Sequence, residues 1–298
     1  MSAPPTGQST FSRRERVAGY VALTKPRIIE LLLVTTVPTM FVAERSVPSV
    51  WLMVATVVGG SLAAGGANAV NMVVDRDIDG LMERTMHRPL VRGVMSPRAA
   101  LTFAVVIEVV AFAWLFTTVN LLSALLAVSA TFFYVFVYTL WLKRTTTQNI
   151  VIGGAAGAVP VLVGWSAVTN TLGWAPVVLF LVIFFWTPPH FWALAIRYRE
   201  DYSAASVPML PAVATLAATA RKITLYTVIL VGTTLVFAPV ADMGAVYVAA
   251  ALILGALFGV LALAVQRDPT ERAAMRLFSY SITYVTLLFA AMIVDVLV

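Results

Sequence analysis

The sequence predicts an all-α, polytopic membrane protein with nine transmembrane helices, and three observations carry that prediction. Hydrophobic residues make up 60% of the 298 positions and charged residues only 11%, against roughly a quarter charged in soluble domains. The apolar residues fall into nine runs, each near the ~20 residues that cross a bilayer core. The basic residues fall between these runs and gather on one side of them, as cytoplasmic loops do.

The runs are 27–43, 50–73, 99–118, 121–142, 150–168, 173–196, 223–240, 244–265 and 277–297. With the N-terminus inside, Arg13, Arg14, Arg16, Lys25 and Arg27 accompany the start of the first run. Arg76, Arg84, Arg88, Arg92 and Arg98 follow the second, and Lys143 and Arg144 follow the fourth. Arg197, Arg199, Arg221 and Lys222 follow the sixth, and Arg267, Arg272 and Arg276 the eighth. Only Arg45 falls outside. The asymmetry puts the N-terminus in the cytoplasm and the C-terminus outside; eight runs would break the alternation. Residues 1–19 are expected to be a disordered cytoplasmic tail, and 20–298 the membrane domain. The polar stretch Met1–Ser12 has no cleavable signal pattern.

The chain has no cysteine, which excludes disulfides and thiolate metal sites. Two histidines are too few for bis-histidine haem ligation repeated along a bundle. The formal charge of +6 is positive-inside bias and does not mark nucleic-acid binding.

Within the runs, Gly59-Gly60, Gly65-Gly66 and Gly153-Gly154-Ala155-Ala156-Gly157 let helices approach closely. In the fifth run the glycines also admit a second reading, as room for a bulky ligand. Pro38, Pro160 and Pro188-Pro189 are expected to kink or break their helices. Glu30 and Glu108 are acids inside runs, where a carboxylate is a functional candidate by default. Glu30 has Lys25 and Arg27 as nearby partners. Glu108 lies close to mid-membrane, where a neutral structural role stands beside a functional one.

Two long inside loops carry the chemistry, 75–98 and 197–222. They stand four runs apart, which hints at two similar halves with the ninth helix added. The first follows Asn71, Asp75 and Asp79, spaced four apart so that a helix stacks them on one face. Stacked carboxylates repel unless a cation sits between them. An oxygen-only set suits Mg²⁺, which binds one or two carboxylates together with substrate phosphate oxygens. The spacing therefore reads as a metal–phosphate site at a membrane surface. A solvated acidic helix end is the plain alternative. Arg84 and Arg88 follow within a few residues and supply cations for a diphosphate. In the second stretch His190, Arg197 and Asp201 share a face if helical, looking across at the first motif, with Glu200 beside them. The plain alternatives are a histidine hydrogen-bonded in a polar pocket and ordinary positive-inside charge.

These residues resemble the UbiA-type intramembrane prenyltransferases, and within that family its haem-farnesylating branch. The resemblance rests on Leu23-Thr24-Lys25-Pro26-Arg27, Asp75-Arg76-Asp77-Ile78-Asp79 with Arg84-Thr85 and Arg88-Pro89-Leu90, and Lys143-Arg144-Thr145 through Gln148-Asn149-Ile150 with the glycine run. It also rests on Trp186-Thr187-Pro188-Pro189-His190-Phe191-Trp192 with Asp201-Tyr202. It runs from about Tyr20 to the C-terminus. It implies nine helices around a central cavity, and transfer of farnesyl from farnesyl diphosphate to a vinyl group of haem B, giving haem O. The wider family carries a second D-x-x-x-D motif; this chain has His190, Arg197 and Glu200-Asp201 there, which puts a symmetric two-motif metal site in doubt.

On this basis Asn71, Asp75 and Asp79 are expected to hold Mg²⁺, with Asp201 for a second ion. Arg84, Arg88, Lys143, Arg144 and Arg197 are the candidates for diphosphate, and Asp77 stands off the main face behind the ligands. Asp75, Asp79 and His190 are the expected catalytic residues, His190 positioning a water or accepting its proton. Trp186, Phe191, Trp192 and Tyr138 are candidates to shield an allylic cation, with packing as the alternative for each. The expected partners are farnesyl diphosphate, haem B, the bilayer and a downstream haem-modifying membrane enzyme, with no nucleic acid. The expected setting is a bacterial-type plasma membrane, the site opening to the cytoplasm. Two other readings are a family member that prenylates an aromatic or quinone precursor, which the absent second Asp pair disfavours, and a haem or lipid transporter without chemistry. A transporter gives no reason for an acidic triad beside arginines.

Overall fold

A bilayer core offers no water to backbone N–H and C=O groups, so a spanning segment must satisfy them internally. The regular elements among the described residues are accordingly all helical. The structure, a computed structural model, describes residues 11–298, and within 27–33 the backbone only.

The chain opens with α1 (Arg13–Leu23), started by a capping box. Ser12 Oγ accepts the Glu15 N–H at 3.2 Å while Glu15 accepts the Ser12 N–H at 2.8 Å. Residues 13–19 of the expected tail are therefore helical, because this cap satisfies the free N–H groups of a helix start. Next come α2 (Pro26–Glu44), α3 (Val50–Val74), the single-turn α4 (Arg76–Asp79) and α5 (Pro97–Thr118). One long helix, Leu121–Thr145, comprises α6 (Leu121–Phe132), a π-helical stretch (Phe133–Leu142) and α7 (Lys143–Thr145). Then follow α8 (Asn149–Thr169), α9 (Trp174–Arg197), the short α10 (Arg199–Ala204) and α11 (Leu210–Val213), α12 (Leu216–Val240), α13 (Ala245–Arg267) and α14 (Glu271–Leu297).

Eight of these helices, counted among the described residues, are long and apolar enough to cross a membrane; the chain is a multi-span integral membrane protein. They coincide with the second to ninth expected runs. The first run coincides with α2, where Arg27 and Glu30 have side chains outside the described residues. α12 and α14 begin well before the runs at 223 and 277. Hydropathy does not register their first turns, but Thr215 and Thr270 cap them by accepting the N–H groups of Ala218 and Ala273.

Helices adjacent in sequence pack side by side from α2 round to α14, and α14 returns to α2. Contacts of α2 with α8 and of α9 with α14 cross this ring. The largest buried cluster lies in the second half, around Trp186, Phe237, Tyr247, Phe258, Tyr284 and Phe289. The prolines do not break the helices: Pro38, Pro160 and the Pro188-Pro189 pair lie within α2, α8 and α9. Packing against neighbouring helices makes this tolerable; Thr36 Oγ1 ties α2 to α8 there by donating to the Pro160 carbonyl at 3.4 Å. Arg45, the one basic residue assigned outside, donates to the carbonyls of Ala241 and Asp242 at the end of α12, a favourable position for a cation.

The glycines set how closely the helices approach. A Cβ on Gly164 would lie 2.6 Å from the Thr36 carbonyl oxygen, a backbone atom that cannot swing aside. Gly164→Ala is therefore expected to destabilise the protein by about 1–3 kcal/mol, read as a lower thermal midpoint in detergent. At Gly232, within α12, a Cβ meets nothing within 4 Å. Gly232→Ala should raise the midpoint, by roughly 0.5–1 kcal/mol of stability.

Candidate functional site

Two stacked carboxylates at the end of α3 form the centre of the site. α3 stops at Val74, Asp75 leaves helical geometry at ψ 0°, and α4 resumes for one turn. The four-residue register survives the interruption. The Asp75 N–H bonds the Asn71 carbonyl and the Asp79 N–H bonds the Asp75 carbonyl, both at 2.9 Å. Asn71, Asp75 and Asp79 thus stay on one face, with 3%, 0% and 1% of their surface exposed.

Cations from three separate segments meet them. Lys25 Nζ donates to Asn71 Oδ1 at 2.8 Å, and Asn71 Nδ2 donates to Asp75 Oδ2 at 2.7 Å. Lys143 pairs with Asp75 Oδ2, and Arg88 with Asp79 Oδ2 at 2.6 Å. Arg144 lies 3.7 Å from Asp75 Oδ1 and bonds both oxygens of Asp77 at 2.7 and 2.8 Å. Asp77 is on the surface, and the Arg144 guanidinium holds its carboxyl down at about 2. Burial and the neighbouring Arg88 and Lys143 cations hold the Lys25 ammonium at about 7, against the opposing pull of Asp75 and Asp79. Lys25 also has a left-handed backbone, φ 51°, which is costly for a residue with a side chain.

Asp75 Oδ1 and Asp79 Oδ1 are buried without a hydrogen-bond partner. An unsatisfied buried charged oxygen is expensive, and two on one helical face invite a hard cation. No group of three or more His, Cys, Asp or Glu side chains stands together among the described residues. The residues therefore fit Mg²⁺ as a two-carboxylate site completed by waters and phosphate oxygens; they do not form an all-protein cage. Asp201 does not join them. Its Oδ2 accepts the backbone N–H of Arg84 at 3.3 Å. The Arg84 side chain is exposed and lies 5.6 Å over the Tyr198 ring.

A cavity of about 320 Å³ lies between α2, α3, α6 with its π-helical stretch, α8 and α9, and on α3 it begins at Asn68, one turn before Asn71. Its walls are mostly small or apolar, with Tyr134 and Tyr138 stacked on one side, centroids 5.4 Å apart. The wide turn of the π-helical stretch joins the two regions. Thr139 Oγ1 donates five residues back to the Tyr134 carbonyl at 2.8 Å and accepts from Asn71 Nδ2 at 3.2 Å. Glu108 stands behind the wall, accepting from Thr131 at 3.1 Å and pressed against Gly66, where a Cβ would lie 2.5 Å from its carboxylate. That is a packing position.

The structure thus brings Asn71, Asp75, Asp79, Arg88, Lys143 and Arg144 together, with Arg84 and Asp201 joined to each other in the adjoining loops. It does not bring His190 and Arg197 to the cluster. The shared helical face of His190 and Arg197 is real, but it turns toward α14. His190 Nδ1 bonds Ser281 Oγ at 2.6 Å, and its ring is stacked between Trp186 and Phe278. Ser281 Oγ also lies 2.6 Å from the Phe278 carbonyl oxygen. Arg197 pairs with Glu271 of α14 at 3.4 Å. Trp186 donates to the Ser281 carbonyl and Trp192 packs edge-on against Tyr226; Tyr138 and Phe191 do line the cavity. Sequence reasoning did not assign Lys25, Tyr134 or Thr139 to the site. The Lys25-Pro26 step at a membrane edge was a usable signal; the five-residue spacing of Tyr134 and Thr139 has no place in a 3.6-residue period.

Residues 32–291 match the UbiA prenyltransferase family. The chain is 56% identical over 289 residues to a protoheme IX farnesyltransferase of Frankia casuarinae, covering 95% of this chain and 99% of that one. It is 52% identical over 295 residues to one of Streptomyces avermitilis, covering 97% and 96%. Among solved structures, a digeranylgeranylglyceryl phosphate synthase superposes with a TM-score of 0.77 at 16% identity, covering 95% of this chain and 99% of that one. A UbiA homologue from Archaeoglobus fulgidus bound to DMAPP and Mg²⁺ superposes with a TM-score of 0.63 at 15% identity, covering 90% and 99%. Both share the fold.

The ion pairs differ in burial, and so in energy. Lys143→Met takes the nearest cation from the buried Asp75, leaving it Arg144 at 3.7 Å and the Asn71 amide, and is expected to cost about 3–5 kcal/mol. Adding Asp75→Asn should recover most of that loss. Asp77→Asn breaks a pair with Arg144 whose side chains are 59% and 35% exposed, and should cost less than about 1 kcal/mol. Thermal unfolding of the four proteins in one detergent measures all three differences.

Proposed function

The chain belongs to the UbiA prenyltransferase family, and on that premise we propose that it transfers the farnesyl group of farnesyl diphosphate to a vinyl group of haem B, with addition of water, to make haem O. Identity above one half along nearly the whole chain supports the acceptor and donor. One observation carries the assignment of the site. Two buried carboxylates, each with an unbonded oxygen and a cation on the other, stand at the end of α3 and in α4, about 10 Å or more along the helix axis from Asn68, where an apolar cavity begins.

Asp75 and Asp79, with Asn71, are the residues that would hold Mg²⁺. When bound, the ion neutralises charge developing on a departing diphosphate. The chain supplies the rest. Arg88, Lys143 and Arg144 bind diphosphate oxygens, where preorganised cations favour the charge that grows as the bond breaks. Lys25 orients Asn71, and Asp77 positions Arg144. Arg84 reaches the diphosphate from the loop that Asp201 holds. The C1–O bond of the donor breaks with its electron pair leaving on diphosphate, and the rings of Tyr134 and Tyr138 stabilise the allylic cation. The vinyl π pair of haem B forms the new bond to C1. Water adds to the resulting carbocation and gives up a proton. No proton transfer is assigned to His190, whose Nδ1 is engaged by Ser281, and none of the diphosphate to Arg197, which Glu271 engages.

In this reading α2 is the ninth span, and residues 20–298 form one membrane domain in a bacterial-type plasma membrane. The N-terminus is cytoplasmic, the C-terminus external, and the site opens to the cytoplasm. The distribution of charge supports this, with Arg45 at the far end of the molecule from the cluster. The haem product passes to a downstream haem-modifying membrane enzyme.

The test is purified protein in detergent with haem B, farnesyl diphosphate and Mg²⁺, the porphyrin followed by mass spectrometry. The haem should gain farnesyl plus water. Chelation should stop the reaction, and Asp75→Asn should slow it by about a hundredfold or more. Diphosphate release with unchanged haem would instead favour a quinone-type acceptor. Binding without any diphosphate release would favour a carrier.

A further inference from the structure

We propose that Gly60 and Gly157 set the longest isoprenoid chain the site accepts, by leaving open the deep end of the cavity where the tail of the donor lies. The proposal rests on the prenyl-transfer reading above and names two residues that determine specificity within it.

The glycines that line the cavity fall into two kinds. On α8, a Cβ at Gly153 would lie 2.3 Å from the Tyr138 ring, and one at Gly154 would lie 3.1 Å from Thr187. Those two glycines are consumed by close packing against the π-helical stretch and α9. One turn further on, a Cβ at Gly157 meets nothing within 4 Å, and the same holds for Gly60 on α3. Both face the cavity. Tight approach of helices therefore does not explain them; what they leave is space.

That space lies at the right depth for a chain tail. At 1.5 Å per residue, Gly60 stands roughly 22 Å along α3 from Asp75, well beyond Asn68 at roughly 10 Å. Gly157 stands roughly 10 Å along α8 from Ile150, which lines the cavity's upper part. A linear chain anchored by its diphosphate at Asp75 and Asp79 runs past the tyrosine pair before it reaches either glycine. Thr36, Thr56 and Val163 line the cavity around that depth. Its deep walls carry no ionisable side chain, so the tail is recognised by volume alone. In such a pocket a side chain added at Gly60 or Gly157 excludes the last isoprene unit and leaves the head of the donor undisturbed.

The experiment is a one-pot competition. Wild type, Gly60→Leu and Gly157→Leu each receive haem B, Mg²⁺ and equal geranyl, farnesyl and geranylgeranyl diphosphates, and the prenylated haems are weighed against one another by mass spectrometry. The product ratio does not depend on how much of each variant is folded. Both leucine variants should lower the farnesyl-to-geranyl ratio by about tenfold or more, the scale on which a pocket senses hydrocarbon, with alanine variants between. Displacement of labelled farnesyl diphosphate by geranyl diphosphate gives the same comparison without an acceptor. Unchanged ratios and unchanged displacement in both leucine variants would overturn the inference and leave the transferase standing. A wild type that prenylates no haem would overturn the acceptor assignment, while the displacement measurement still decides the role of the two glycines.

Discussion

Asp75 and Asp79 are carboxylates held out of water at the end of an apolar helix, and the surrounding architecture answers the cost of that burial. Removing such groups from water costs several kcal/mol each unless they are paired. The pairing draws on Arg88 from the loop after α4 and on Lys143 from the end of the π-helical stretch, while Lys25 from the junction of α1 and α2 holds Asn71 beside them. Segments far apart in the chain are thereby tied to one point. Pairing is nevertheless incomplete, because each carboxylate keeps one buried oxygen with no hydrogen bond. A structure optimised for stability alone would satisfy or remove those oxygens. Those two oxygens are the ones that the proposed Mg²⁺ would take.

The polar cluster and the apolar cavity depend on each other through the π-helical stretch. Its wider turn carries Thr139 to Asn71 and sets the Tyr134–Tyr138 pair along the cavity wall. Departures from α-helical geometry of this kind recur at functional sites. Here the departure joins a charged head region to a hydrocarbon-lined tail region within one helix. Small residues then do two different things in the same walls. Gly154 and Gly164 bring backbones together, whereas Gly60 and Gly157 leave volume unfilled.

α9 divides the molecule by its two faces. Thr187 and Phe191 look into the cavity, while Trp186 and His190 pack against α14. The second face belongs to the largest buried cluster, so the cavity wall is backed by densely packed side chains and keeps its shape. The stacking of His190 and the Arg197–Glu271 pair serve that contact between α9 and α14.

The sequence by itself determined the membrane class, the position of the helices to within a few residues at most ends, and the stacking of Asn71, Asp75 and Asp79. Hydropathy adds up residue by residue, and a four-residue spacing is local, so neither needs a fold to be read. Even so, the helix starts at 216 and 271 escaped hydropathy, because Arg221-Lys222 and Glu271-Arg272 with Arg276 interrupt the apolar pattern, while capping hydroxyls at Thr215 and Thr270 start those helices earlier. Only the tertiary structure decided that Lys143 meets Asp75 and Lys25 meets Asn71, that His190 turns away from them, and that Asp201 serves the loop of Arg84. It alone separated the glycines that touch a neighbour from those that leave space. Each of these outcomes depends on the relative rotation and depth of helices that lie tens of residues apart. That information resides in how whole surfaces pack, and no local pattern of residues contains it.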